Sequence, residues 1–336
     1  MRGPSPRRRE RQTVSTTIRT RVAQIVAPRQ IEVVDDSFEL GPGEVAVKVA
    51  ACGICSWESG FYSGDRPTDL PRPIGHEPAG IVTAVGSAVT AWKPGDRVAG
   101  LFSPAFATYA KARENMLVRV PDHLPLEHAI VEPVKCIVTG LRAAHPEFGD
   151  HAMVVGCGFM GLLCVAGLRS PGLASLIAVD LVDERLERAR QFGATHVLNP
   201  SRDDVPSRVQ EITGGHGVDV AMEASTVPAG FALASSVLRR GQPRLVVVTT
   251  AYPGATYDPT ACVRTGAIVH FAEPGHCLDP IDELRRTIEA LGRGVFPMDA
   301  LITHRFGLHQ VGQGMEAGLA RTPGYVKGIV IPETSD

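Results

Sequence analysis

Polar and apolar positions alternate over short runs in the first hundred residues and give way to longer, fully apolar runs after them. Residues 23–26, 30–34, 44–51, 79–85 and 97–99 read as strands, separated by turn chemistry such as Gly41-Pro42-Gly43 and Lys93-Pro94-Gly95-Asp96. That rhythm predicts a β-rich region. From about Pro133 the pattern changes. Apolar strands at 153–155, 176–179, 196–198, 218–223, 244–249 and 268–271 alternate with helical periodicities at 162–168, 184–192, 205–212, 230–238 and 281–291. Repeated strand–helix units with apolar strands predict a parallel sheet covered on both faces, an α/β fold. Past Phe296 come shorter pieces, 300–306, 310–319 and 325–331, which are expected to rejoin the first region.

A chain of 336 residues suits two domains. With a net charge of -2, it offers no reason to expect nucleic acid or an anionic membrane as partner. No apolar run is long enough to span a bilayer. The 7 cysteines are odd in number and scattered, which fits a reducing cytoplasm better than a disulfide framework. The start holds Arg2, Arg7, Arg8, Arg9 and Arg11 without an apolar stretch, so residues 1–20 are expected to form a disordered basic arm.

The chain turns on Met153-Val154-Val155-Gly156-Cys157-Gly158-Phe159-Met160-Gly161, a strand running through three glycines into a helix. In that context Gly156 allows the tight turn, Gly158 lets backbone approach a pyrophosphate, and Gly161 permits close helix–strand packing. The pyrophosphate would meet the free amides of the first helical turn, at Phe159 and Met160. The next strand closes on Asp180, which would accept from a ribose 2′-hydroxyl and repel a 2′-phosphate, favouring NAD over NADP. Arg185 is placed to hold a ribose hydroxyl or to attract a phosphate.

A second group of residues carries candidate chemistry. Cys52-Gly53-Ile54-Cys55 brings two sulfurs together but follows a strand in a β-rich region, unlike a thioredoxin-type redox pair. Gly75-His76-Glu77 and Glu132-Pro133-Val134-Lys135-Cys136 add imidazole, carboxylate and thiol. Such a set suits tetrahedral zinc with a position left for water or substrate.

These segments, with Val85-Gly86-Ser87-Ala88-Val89, Lys93-Pro94-Gly95-Asp96-Arg97-Val98 and Leu301-Ile302-Thr303-His304-Arg305-Phe306, resemble the zinc-dependent medium-chain dehydrogenase/reductase family over about residues 22–332. The resemblance implies a GroES-like β-rich catalytic domain, residues 21–140 and 296–336, plus a Rossmann doubly wound parallel sheet, residues 141–295, that binds NAD. It implies Cys55, His76 and Glu132 as zinc ligands, with Glu77 a ligand or a neighbour behind one. In the alcohol dehydrogenase branch a cysteine fills the last place three residues further on, where Lys135 stands here, and Cys136 is one step off. Thr139 would contact the back of the nicotinamide. No cysteine occurs in Gly100-Leu101-Phe102-Ser103-Pro104-Ala105-Phe106, where many members insert a structural zinc lobe, so one catalytic zinc and no structural zinc is expected.

Two positions depart from the family's proton relay. Trp57 replaces its hydroxyl residue and Gly60 its histidine, while Glu58 replaces a shorter aspartate. An indole donates only and relays no proton. Trp57 then either narrows the substrate pocket or stacks on a ring-shaped substrate. The implied function is hydride transfer between NAD and a secondary alcohol, a polyol, sugar or cyclitol, in a homodimer or homotetramer acting on a small molecule. Reduction of a C=N or conjugated C=C bond, a redox-neutral NAD cycle, and a non-catalytic dinucleotide-binding role are the alternatives.

Overall fold

The computed structural model describes residues 17–169, 172–248, 255–272, 277 and 279–332. Its first part runs β1 (Ile18–Ala27), β2 (Gln30–Phe38), β3 (Glu44–Gly53), α1 (Ser56–Ser63), β4 (Arg72–Pro73), β5 (Glu77–Val85), β6 (Arg97–Gly100), β7 (Tyr109–Arg113), β8 (Leu117–Arg119) and α2 (Val131–Ala144). The middle alternates β9 (His151–Val155), α3 (Phe159–Leu168), β10 (Ser175–Val179), α4 (Asp183–Gln191), β11 (His196–Leu198), α5 (Val205–Ile212), β12 (Val220–Glu223), α6 (Pro228–Ser236), β13 (Arg244–Val247), α7 (Thr260–Thr265), β14 (Ile268–Phe271) and α8 (Pro280–Gly292). The chain ends with α9 (Met298–Leu301), β15 (Ile302–Gly307), α10 (Val311–Leu319) and β16 (Lys327–Ile331).

Strands β9 to β14 form one parallel sheet in the order β11-β10-β9-β12-β13-β14. That is the order of a dinucleotide-binding sheet, whose chain reverses direction between β9 and β12 and leaves a crevice beyond their carboxyl ends. The apolar runs are continuous because both faces are covered. Ala152, Val154, Leu176 and Ala178 enter one core, while Met153, Val155, Ile177 and Val179 enter another. The remaining strands make a sheet of order β15-β16-β3-β5-β6-β8, with β7 on β3, and a small sheet β2-β1-β4. Strand β16 pairs antiparallel with β3 at Ile329↔Gly53 and Val330↔Cys52, bringing the end of the chain beside the first sheet. The fold is therefore α/β, a GroES-like β-rich unit joined to a Rossmann sheet.

Helix α2 ties the two together, since Val131, Val134 and Ile137 share a core with Ala51 and Ala79 of the first sheet and Val154 and Met222 of the second. The expected boundary at residue 140 cuts through this helix, which continues to Ala144. The start of the chain also differs from expectation. Residues 1–16 lie outside the described residues, but Ile18, Arg19 and Thr20 belong to β1 rather than to an arm. They pair with Phe38, Ser37 and Asp36, and the Thr20 hydroxyl donates to the Tyr109 carbonyl at 2.8 Å. Thr249, the last residue of an expected strand, lies outside the described residues. Among the described residues no helix is long and apolar enough to cross a membrane.

Phe106, fully buried in the core of the β-rich unit, is expected to cost about 3–5 kcal/mol as Phe106→Ala. Phe148→Ala, at a side chain 89% exposed, should change stability by less than about 0.5 kcal/mol. Urea denaturation midpoints of the two variants check the contrast.

Candidate metal and dinucleotide site

Strand β3 ends at Gly53, and the chain turns through Ile54 and Cys55 into α1, where Cys55 is the extended N-cap residue. The sequence reading saw no helix here because Ser56-Trp57-Glu58-Ser59-Gly60 has weak helical propensity; tertiary contacts hold it. The Cys52–Cys55 pair thus does open a helix, though one leaving an antiparallel strand. Cys52 is fully buried, and burial, followed by the Glu58 and Glu77 charges, raises its thiol well above the usual range. It is inert core, and Cys55 alone reaches the site.

The Glu58 side chain points back from the first turn of α1. Its Oε1 accepts the Gly75 amide at 2.7 Å and lies 3.1 Å from His76 Nδ1. With Nδ1 committed to that carboxylate, Nε2 is the ring nitrogen left for a metal. Glu77 opens β5 directly opposite Gly53. A Cβ on Gly53 would lie 1.8 Å from Glu77 Oε2, so only glycine fits there. As a result the Cys55 sulfur, a His76 nitrogen and a Glu77 oxygen lie within 4.8 Å of one another. Sulfur, imidazole and carboxylate at that spacing are a fitting donor set for one zinc ion.

Glu132, in the first turn of α2, is not part of that close trio but belongs to the same electrostatic neighbourhood. It is half-buried. Burial, and then the Glu77 charge, pushes its carboxyl up to about 7 against the opposing His76, Lys327 and Lys135 charges. Burial opposes protonation of His76, but its bonds to the Cys55 sulfur and the Glu58 carboxylate outweigh this and push it up to about 12. Burial also raises the Cys55 thiol. Without a cation the cluster therefore holds protons that a metal would displace.

Lys327, which the sequence reading passed over, organises the site. It is buried in β16, with Nζ 2.6 Å from Glu77 Oε2, 2.8 Å from the Ile54 carbonyl and 4.7 Å from the Phe159 ring centre. The signal was available. A lysine inside Tyr325-Val326-Lys327-Gly328-Ile329-Val330-Ile331 is a charge in an apolar strand and needs a partner.

The glycine turn takes the shape its spacing predicts. Gly156 has φ 89°, and a Cβ there would strike the Ser225 backbone at 2.7 Å; a Cβ on Gly161 would lie 1.7 Å from the Gly156 carbonyl oxygen. A Cβ on Gly158, the N-cap of α3, would meet open space, leaving the first-turn amides of Phe159 and Met160 approachable. Asp180 accepts the Cys157 amide at 2.7 Å and the Val182 amide at 2.8 Å, and Arg185 stands 3.8 Å away. Thr139 is buried on α2, where its hydroxyl donates to the Glu283 carboxylate of α8 and lies 3.1 Å from the Lys135 carbonyl. Cys136 also faces Glu132, with Sγ 3.9 Å from its Oε1. Trp57 lies at the surface of α1, its ring centre 6.1 Å from that of His76 in an edge contact.

The pattern of an alcohol dehydrogenase GroES-like domain matches residues 41–122, and that of a zinc-binding dehydrogenase matches residues 160–271. The (R,R)-butanediol dehydrogenase of Bacillus subtilis is 31% identical over 87% of this chain and 93% of its own. The sorbitol dehydrogenase of the same organism is 29% identical over 88% and 92%. The crystal structure of 2R,3R-butanediol dehydrogenase from Bacillus subtilis superposes with a TM-score of 0.82 at 27% identity, covering 94% of this chain and 100% of that one. The chain belongs to the zinc-dependent medium-chain dehydrogenase family, and it is an enzyme of that family's oxidoreductase type.

Removing the lysine in Lys327→Met should leave the Glu77 charge buried and unpaired, at a cost of about 3–5 kcal/mol in chelated protein. The double variant Lys327→Met/Glu77→Leu should recover most of that loss. A double-mutant cycle on denaturation midpoints measures the coupling.

Proposed function

We propose that the protein is an NAD-dependent dehydrogenase of small secondary alcohols, of the polyol, sugar or cyclitol class, working with one zinc ion. The observation that carries this reading is the meeting of Cys55, His76 and Glu77 within 4.8 Å, tied through Lys327 to the first residue of the fingerprint helix. Names among its relatives, butanediol and sorbitol dehydrogenase, support a vicinal diol or polyol as substrate.

Zinc supplies Lewis acidity that eases ionisation of an alcohol, and nicotinamide supplies the hydride acceptor. The chain's own residues do the rest. Cys55, His76 and Glu77 are the close donors, with Glu58 fixing the imidazole and Lys327 offsetting the Glu77 charge. Glu132, in the first turn of α2 with a carboxyl pushed up to about 7, is suited to accept the proton that an alcohol gives up. Trp57 and Gly60 stand where the family's relay residues would be, so the proton passes by Glu132 instead. Gly156, Gly158 and Gly161 would hold the pyrophosphate of a bound dinucleotide against the amides of Phe159 and Met160, while Asp180 would receive the adenosine ribose. Thr139, with its hydroxyl committed to α8, stiffens the wall behind the cofactor. The exposed Ile268 and Phe271 on edge strand β14 favour assembly as a homo-oligomer.

Three outcomes test this reading. Chelation or Cys55→Ala should abolish NADH formation with 2,3-butanediol or sorbitol, and zinc alone should restore the wild-type enzyme. The ionised Glu132 is the active form, so kcat/KM should rise with pH through an apparent pKa at or below 7, a limb missing in Glu132→Gln. NAD should be preferred to NADP, and Asp180→Ala should narrow that preference by about tenfold or more, read from kcat/KM for each cofactor. Steady NADH formation that ignores chelator would refute the metal role.

A further inference from the structure

The departures at Trp57 and Gly60 serve a purpose beyond narrowing a pocket. Trp57 packs edge-on against Phe61 with ring centres 4.6 Å apart, and two guanidinium groups rest on this pair. Arg66 and Arg72 each lie 6.0 Å from the Trp57 ring centre, and Arg72 also stacks 4.1 Å over Phe61. Gly60 makes room for the first of them, because a Cβ there would come within 2.8 Å of Arg66 Cδ. The Arg66 amide donates to the Gly60 carbonyl at 2.9 Å, which holds the loop over the helix.

Neither arginine has a carboxylate partner among the described residues. Arg72 spends one donor on the Thr68 hydroxyl at 2.9 Å, and its Nε has no partner. Of the acids nearby in sequence, Asp65 accepts from Ser63 and Glu58 serves Gly75 and His76, while exposed Asp69 makes no ion pair with either arginine. Two half-buried cations with unused donors, each 6.0 Å from the ring centre of Trp57, offer the kind of donors that hold a carboxylate or phosphate.

We infer that Arg66 and Arg72 hold an anionic group on the substrate, so that the favoured alcohol is a polyol carrying a carboxylate or a phosphate. This rests on the dehydrogenase reading and specifies its substrate. The anion would bind at the Trp57 end of the cleft while the reacting carbinol lies toward Cys55 and His76. The oxidised carbon and the anion are thus separate groups of one molecule.

The test compares sorbitol with sorbitol 6-phosphate and with gluconate, using zinc-loaded enzyme and NAD; the last two distinguish phosphate from carboxylate. At least one anion should exceed sorbitol in kcat/KM by roughly tenfold or more, as expected for charge-assisted hydrogen bonds. In the Arg66→Gln/Arg72→Gln double variant that ratio should collapse toward unity, through KM more than kcat. Equal use of all three compounds, or a preference that survives the double substitution, overturns the inference while leaving the dehydrogenase reading standing. If none of the three is oxidised, the dehydrogenase reading fails for this class, and Trp57 fluorescence still decides the arginine site. Saturable quenching by an anion, absent with sorbitol and lost in the double variant, upholds it; no quenching refutes it.

Discussion

A buried ion pair, Lys327 with Glu77, is the interaction on which the rest of this structure depends. It forms where the last strand of the chain meets the first sheet, with Lys327 also reaching the Ile54 carbonyl beside Cys55 and the ring of Phe159 at the head of α3. One ammonium group therefore touches the metal-donor cluster and the dinucleotide turn. Burial works against the lysine charge, but Glu77 and then Cys55 more than compensate, so its proton affinity is raised. Such a pair contributes little net stability compared with apolar packing, and its value is in fixing register and orientation. Gly53 completes the arrangement, since any side chain there would push Glu77 out of line.

The charges around the donors make the cluster conditional. Burial and then the Glu77 charge raise the cost of ionising Glu132, while His76 and Lys327 reduce it. In the absence of a cation the balance is kept by protons on the imidazole and carboxyl groups. A divalent ion substitutes for them, which makes metal binding and proton release one event. Glu132, pushed up to about 7, is thereby able to exchange a proton near neutral pH, while Glu77 is paired with Lys327 and Glu58 with His76.

Much of this was legible in the sequence because it is local. Gly156, Gly158 and Gly161 between an apolar strand and a helix, with Asp180 closing the next strand, predict their geometry from backbone sterics alone. Helices α5 and strands β11 and β14 begin and end where their periodicity places them. What escaped reading is non-local. Helix α1 has poor propensity and exists because Glu58, Ser59 and Tyr62 are buried against distant elements. Helix α2 bridges two cores, so a domain boundary drawn from a change in rhythm falls inside it. Lys327 lies 250 residues from Glu77, and no spacing rule joins them. Arg66 and Arg72 look like ordinary loop charges until the fold sets both against Trp57.

The central claim is that residues drawn from the end of β3 and the start of β5 hold a single zinc ion beside the fingerprint helix. X-ray absorption at the zinc edge of the loaded protein tests it most directly. One sulfur at about 2.3 Å with nitrogen and oxygen donors at about 2.0–2.2 Å is the expected shell. A shell without sulfur, or one made of several sulfurs, would contradict the account.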